Sequence, residues 1–111
     1  MQINFENFDK LTMGDVEFAQ DLLHIYIKEL EEYIKEIDEF LKSKDLPKFR
    51  LRNHDIRTVV RTLSMDSVID MQEKLKSAVT RNLPNEELHR QGDEIKKFIS
   101  EAVKALKGKL E

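Results

Sequence analysis

Of the three histidines in this chain, His54 keeps the company that could make it reactive. Arg50, His54, Arg57 and Arg61 recur at spacings of 4, 3 and 4, which on a helix places three guanidiniums and one imidazole on a single face. Near three fixed positive charges the protonated ring is disfavoured, which leaves a nitrogen lone pair able to attack an electrophile. If that electrophile were a phosphoryl group, the same arginines would hold the anionic product by charge-assisted hydrogen bonds. Spacing alone leaves a second reading open. An Arg-rich helical face with one histidine is also what solvated surface looks like, or a salt-bridge platform for a partner.

Other chemistries are poorly served. His24 and His89 lie beside helix seams and are expected to be partly buried structural imidazoles; the pair His89 and Asp93, at i and i+4, is a weak metal signal. No Gly-rich phosphate loop, HExxH or GxSxG occurs, and with no cysteine there is no thiolate zinc site, disulfide or thiol nucleophile. Neither a metal site nor a bound cofactor is therefore expected. A formal charge of −3 and a pI near 5.7 discourage nucleic acid and anionic membranes as partners. No apolar run approaches the ~18 residues of a membrane span, and the start, MQINFENFDK, lacks the regions of a signal peptide, so a cytoplasmic location is expected.

The elements that must position His54 follow from hydrophobic spacing. Three glycines and two prolines in 111 residues are too few for a sandwich or barrel, and the length suits one domain, residues 1–111, with its core over about 8–106. From Gly14 to about Lys42, Leu23, Ile27, Leu30, Ile34, Ile37 and Leu41 make a long helical stripe, widened by Val16, Ala19 and Tyr26. Asp45 or Leu46 can cap a second helix that has Pro47 in its first turn and Phe49, Asn53, Ile56, Val60 and Leu63 inward. Ser64 and Asp66 supply a cap and a first-turn acid for a third, with Val68, Met71, Gln72, Leu75, Ala78 and Val79 on its seam. The last runs from about Pro84 to Lys107 with Leu88, Ile95, Phe98, Ile99, Ala102 and Leu106 inward and Gly108 as its terminator.

Gly92 falls on that last seam, either to permit a close helix approach or as a merely tolerated glycine. Phe5, Phe8 and Leu11 suggest a short N-terminal helix that caps one end, and residues 109–111 have the look of a cloning remnant. Short connections make neighbouring long helices antiparallel, so the expected fold is all-α, an up-down four-helix bundle with a short N-terminal capping helix.

The stretch Leu51-Arg-Asn-His54-Asp-Ile-Arg57-Thr58-Val-Val-Arg-Thr-Leu63-Ser64-Met65 resembles the signature of histidine-containing phosphotransfer (HPt) domains, in which a helix carries His-x-x-Lys-Gly and ends on a Leu-Gly-Ala turn. His54 falls on the phosphoacceptor, Arg57 on the lysine and Thr58 on the glycine, Leu63 matches, and Ser64-Met65 stands at the Gly-Ala turn. Gly14-Asp15 opening a long helix, then a short break with Asp45 and a phenylalanine before the histidine helix, fits the same layout. The resemblance covers about residues 8–106, although only the histidine region is specific.

It implies a phosphorelay domain without enzymatic activity of its own. The histidine takes a phosphoryl group from the phosphoaspartate of one response-regulator receiver domain and passes it to another, either free-standing or within a hybrid sensor histidine kinase. Mg²⁺ belongs to the receiver. The family often places a glutamine on the next helix to hydrogen-bond the imidazole; here Lys76 stands near the level of His54, as a fourth cation, and Gln72 is the candidate substitute, or else a polar seam residue.

Two residues depart from the pattern. Thr58 puts a β-branched side chain one turn beyond His54 on the approach face, where the family's glycine leaves room, and Arg57 keeps the lysine's charge on a wider planar group. If these changes block transfer, the implied alternative is a degenerate HPt-like bundle that docks a receiver or kinase domain without being phosphorylated.

Overall fold

Helix α1, Glu6–Thr12, is short and ends on Met13 and Gly14, both at positive φ (52° and 77°). Two left-handed residues in succession turn the chain sharply, and the glycine takes that conformation without steric cost. Asp15 then caps α2, Val16–Ser43, its side chain accepting from the Phe18 N–H at 3.0 Å. The computed structural model describes residues 3–110. These form six helices and no strand, within an envelope of 47 × 23 × 19 Å whose long dimension is set by α2.

Lys44, at φ 54°, closes α2, and Asp45 caps α3, Leu46–Asp55, by accepting from the Lys48 N–H at 3.2 Å, with Pro47 in the first turn. Phe40 and Phe49 stack across this corner at 3.9 Å between ring centroids, which ties the start of α3 to the end of α2. A single residue, Ile56, separates α3 from α4, Arg57–Thr62, so the expected continuous second helix is interrupted two residues after His54. Ile56 has ψ near 0° and is fully buried. Its N–H is shared between the carbonyls of Arg52 and His54. The interruption falls where the sequence changes from the polar Arg-Asn-His-Asp to Ile-Arg-Thr-Val-Val, whose branched side chains crowd the preceding turn.

Ser64 is not the cap of the following helix. It lies at φ 59°, with the Ser64 N–H donating to the Arg61 carbonyl and the Met65 N–H to the Val60 carbonyl, the pairing of a Schellman motif. Val60 and Met65 are both fully buried and supply the apolar contact of that motif. Helix α5, Asp66–Thr80, therefore starts at Met65 without a side-chain cap. Asn82, at φ 54°, repeats the same closure before α6, Asn85–Leu110.

Helix α2 packs along α6, α6 against α5, α5 against α4 and α3, and α3 against α2, while α1 lies on α2. Most stripe positions are buried as spaced, with differences at the ends. Ile34, Met71 and Phe98 are half-buried, Val16 is exposed, and Leu11 is 48% exposed because Phe8 and Thr12 are the residues α1 turns inward. Tyr33 and Phe40 join the core instead. Gly92 is a close approach: a Cβ there would meet Leu41 Cδ1 at 2.9 Å. Gly108 does not end α6, which continues to Leu110; Lys109 lies 4.6 Å from the Phe5 ring centroid and 3.3 Å from Asp9, so this end of the chain helps hold α1.

Candidate functional site

His54 occupies the last turn of α3 and is exposed. Its orientation follows from its neighbours in the chain, because 100° per residue carries position 54 outward when positions 49, 53 and 56 are buried. No side chain among the described residues hydrogen-bonds the imidazole. Arg50 and Arg61 are exposed and Arg57 is half-buried, its Nε enclosed without a partner. None of these three guanidiniums makes an ion pair among the described residues.

Arg52 behaves differently and explains part of that imbalance. Its guanidinium lies 2.6 Å from Glu36 Oε2, 3.5 Å from Glu29 Oε2 and 3.3 Å from Asp55 Oδ2. These contacts, led by Glu36, hold the Arg52 proton even more firmly than usual. Asp55, the carboxylate adjacent to His54 in the chain, is thereby engaged by Arg52, whose other partners Glu29 and Glu36 lie on α2; Arg50 shares α3 with His54, whereas Arg57 and Arg61 belong to α4, beyond the interruption at Ile56. Arg52 thus carries one positive charge among three carboxylates, while Arg50, Arg57 and Arg61 have no ion pair among the described residues, in a chain of net charge −3.

The residue before His54 is tied inward. Asn53 is buried, and its Oδ1 accepts from the Tyr33 hydroxyl at 2.5 Å; that hydroxyl in turn accepts from Gln72 Nε2 at 2.8 Å. Burial, the dominant influence, pushes the Tyr33 hydroxyl well above its ordinary value, so it remains a proton donor. Gln72 is thus only 2% exposed and committed to Tyr33. This corrects its expected role as a hydrogen-bond partner of the imidazole, and its place is that of a polar seam residue. Lys76 is half-buried and pairs with Glu73 at 2.9 Å, so it adds less charge to the strip than a free ammonium would. Thr58 is exposed and lies in α4, beyond the interruption at Ile56 that separates it from His54.

Two features near the site were not among the residues singled out from sequence. Leu51, three positions before His54, is 61% exposed, an apolar group on the approach side of α3. Its signal was present, since it falls off the buried stripe of its own helix. Tyr33, and the contacts of Arg52 to Glu29 and Glu36, gave no such signal because those partners are distant in the chain. A cavity of about 30 Å³ behind Arg52, lined in part by Tyr33, Phe40 and Phe49, has room for about one water.

His24 and His89 are exposed, contrary to the partly buried placement expected of them, because each stands just outside its helix's buried stripe. Asp93 pairs with Lys96 at 3.3 Å. Among the described residues no group of three or more histidine or carboxylate side chains is placed to hold a metal ion, and no helix is long and apolar enough to cross a membrane.

No family model matches the chain. Neither a curated protein nor a solved structure matches it.

Proposed function

We propose that this chain is a cytoplasmic histidine phosphotransfer domain, an antiparallel four-helix bundle with α1 as a short cap, in which His54 accepts and passes on a phosphoryl group. The observation that carries the reading is an exposed imidazole that, among the described residues, has no hydrogen-bond partner, close in sequence to Arg50, Arg57 and Arg61, which among the same residues have no carboxylate partners. The nearby carboxylates Glu29, Glu36 and Asp55 lie against Arg52 instead. The closed circuit of contacts from α2 through α3 and α4 to α5 and α6 supports the bundle. Ser64 at φ 59° adds support, since it takes the conformation a glycine adopts freely at the position where the HPt pattern has one.

In the proposed step, a ring nitrogen of His54 forms an N–P bond as the P–O bond of a receiver's aspartyl phosphate breaks. The aspartate carboxylate leaves, and the ring, retaining its other N–H, takes up the positive charge that balances it. Return of the phosphoryl group to a second receiver reverses these bonds. Guanidiniums that are not already neutralised can stabilise the phosphoryl oxygens, while the receiver's own Mg²⁺ shields the leaving carboxylate. The partners are receiver domains, reached directly or through a histidine kinase of which this chain is a part.

The test is incubation with a receiver domain charged by acetyl phosphate in Mg²⁺. The expected product is an acid-labile, base-stable phosphate on this chain that is absent from His54→Gln. Retained binding with no label across a panel of receivers would instead establish a docking module. The exposed Thr58 side chain is the feature of the site that favours that outcome.

A further inference from the structure

His54 is exposed on α3, so the direction of its ring depends on what holds that helix. Helix α3 has ten residues, and its far end is fixed by the Asp45 cap and the stacking of Phe49 on Phe40. Near His54 the buried anchors are Asn53 and Ile56. Apolar burial of Ile56 is non-directional and tolerates a small rotation of the helix, whereas a hydrogen bond does not. Arg52 ties α3 to Glu36 and Glu29 of α2 from the half-exposed side, and the fully buried directional restraint is the chain from Gln72 on α5 through the Tyr33 hydroxyl on α2 to Asn53 on α3. It joins three helices at the residue that precedes His54 in the chain.

Stability alone is a poor account of this chain. Asn53 occupies a stripe position where an apolar residue would be buried at lower cost, and its Nδ2 is enclosed without a partner. A device kept only to strengthen the core would satisfy that donor or dispense with it. Rotational aim does matter at the surface. A ring carried about 6 Å from the helix axis moves about 1.5 Å for a 15° turn, and a misplacement near 1 Å can slow an in-line reaction about 100-fold.

We propose that Tyr33 is a positioning residue for His54: with Gln72 and Asn53 it fixes the rotation of α3, so that the imidazole meets a docked receiver's acyl phosphate in line. The proposal rests on the phosphotransfer reading. Its test separates two phosphoryl donors. Phosphoramidate is small, reaches the ring from any side and makes no demand on aim; a receiver's phosphoaspartate arrives on a docked surface and does.

In Tyr33→Phe, phosphoramidate labelling of His54 is expected to stay within about twofold of wild type, while the maximal rate of transfer from a receiver falls about tenfold or more with its half-saturation unchanged. Gln72→Met, which keeps the Tyr33 to Asn53 link, is the milder variant and decides the matter if Tyr33→Phe does not fold; it should show the same selective loss to a smaller degree. Receiver transfer at the wild-type rate in both folded variants overturns the proposal, as does an equal slowing with both donors. Wild-type protein left unlabelled by phosphoramidate at His54 would overturn the phosphotransfer reading itself, a result distinct from either of these.

Discussion

Gly92 and Gly108 lie in the same helix, yet an alanine should have opposite effects at the two. At Gly92 the new Cβ would stand 2.9 Å from Leu41 Cδ1 and 3.4 Å from Ile37 Cγ2, whereas at Gly108 it would meet no atom of the described residues within 4 Å. Each substitution removes a helical glycine, worth about 1 kcal/mol in a helix interior and about half that in a last turn that frays. To restore ordinary contact at Gly92, the buried Leu41 side chain must give way, and overpacking of this kind costs about 1–3 kcal/mol. Gly108→Ala is therefore expected to be more stable than wild type by about 0.5 kcal/mol, and Gly92→Ala to range from neutral to about 2 kcal/mol less stable. For a domain of this size about 1 kcal/mol moves the midpoint by about 4 °C, so the two variants should differ by roughly 2–10 °C in thermal unfolding followed by circular dichroism. Equal midpoints, or a higher one for Gly92→Ala, would refute the claim that Gly92 sets the α2–α6 distance. The consequence reaches the site, because α2 carries Tyr33, Glu29 and Glu36, all of which hold α3.

Thr58→Gly should speed phosphoryl transfer from a receiver by removing an exposed branched side chain four positions after His54, at a helix cost of about 0.3–0.5 kcal/mol; an unchanged or slower rate in the transfer assay would remove the steric role assigned to Thr58. The Tyr33 hydroxyl is held above its ordinary value of 10.0 by burial. A raised folded-state value means that its stabilising contribution is complete below about pH 10 and is lost as pH rises further, by at most ~1.4 kcal/mol per pH unit. Urea unfolding of wild type and Tyr33→Phe at pH 9 and pH 11 should show the wild type losing more stability than the variant over that interval, and equal losses would contradict the buried, protonated hydroxyl.

Helical spacing made much of the architecture legible. Leu23, Ile27, Leu30, Ile37 and Leu41, and then Phe49, Asn53, Ile56, Val60 and Leu63, are buried as their periodicity requires, since a seam between helices selects one face of each. The caps at Asp15 and Asp45 work as their residue types suggest. Chain turns were harder to read. Ser64 serves as a left-handed closure of α4, a role in which glycine or asparagine is the usual signal, and Gly108 is helical although glycine commonly terminates.

Spacing read as one continuous helix singled out His54 with Arg50, Arg57 and Arg61, the last two of which the structure places on α4, and it gave no sign of the groups that hold α3. Tyr33, Asn53 and Gln72 come from three helices, and Arg52 reaches Glu29 and Glu36 across a turn. No local pattern encodes such pairings. Gln72 shows the limit clearly: a glutamine facing the right helix at nearly the right height is bound to a tyrosine that only the packing brings within reach.

The measurement closest to the central claim is a pulse-chase on the intact chain. After labelling from a receiver charged by acetyl phosphate and removal of that receiver, fragmentation mass spectrometry should locate the phosphate on His54, and addition of a second, uncharged receiver with Mg²⁺ should discharge it. Phosphate on another residue, or a His54 phosphate that no receiver can remove, would contradict a relay role for this face.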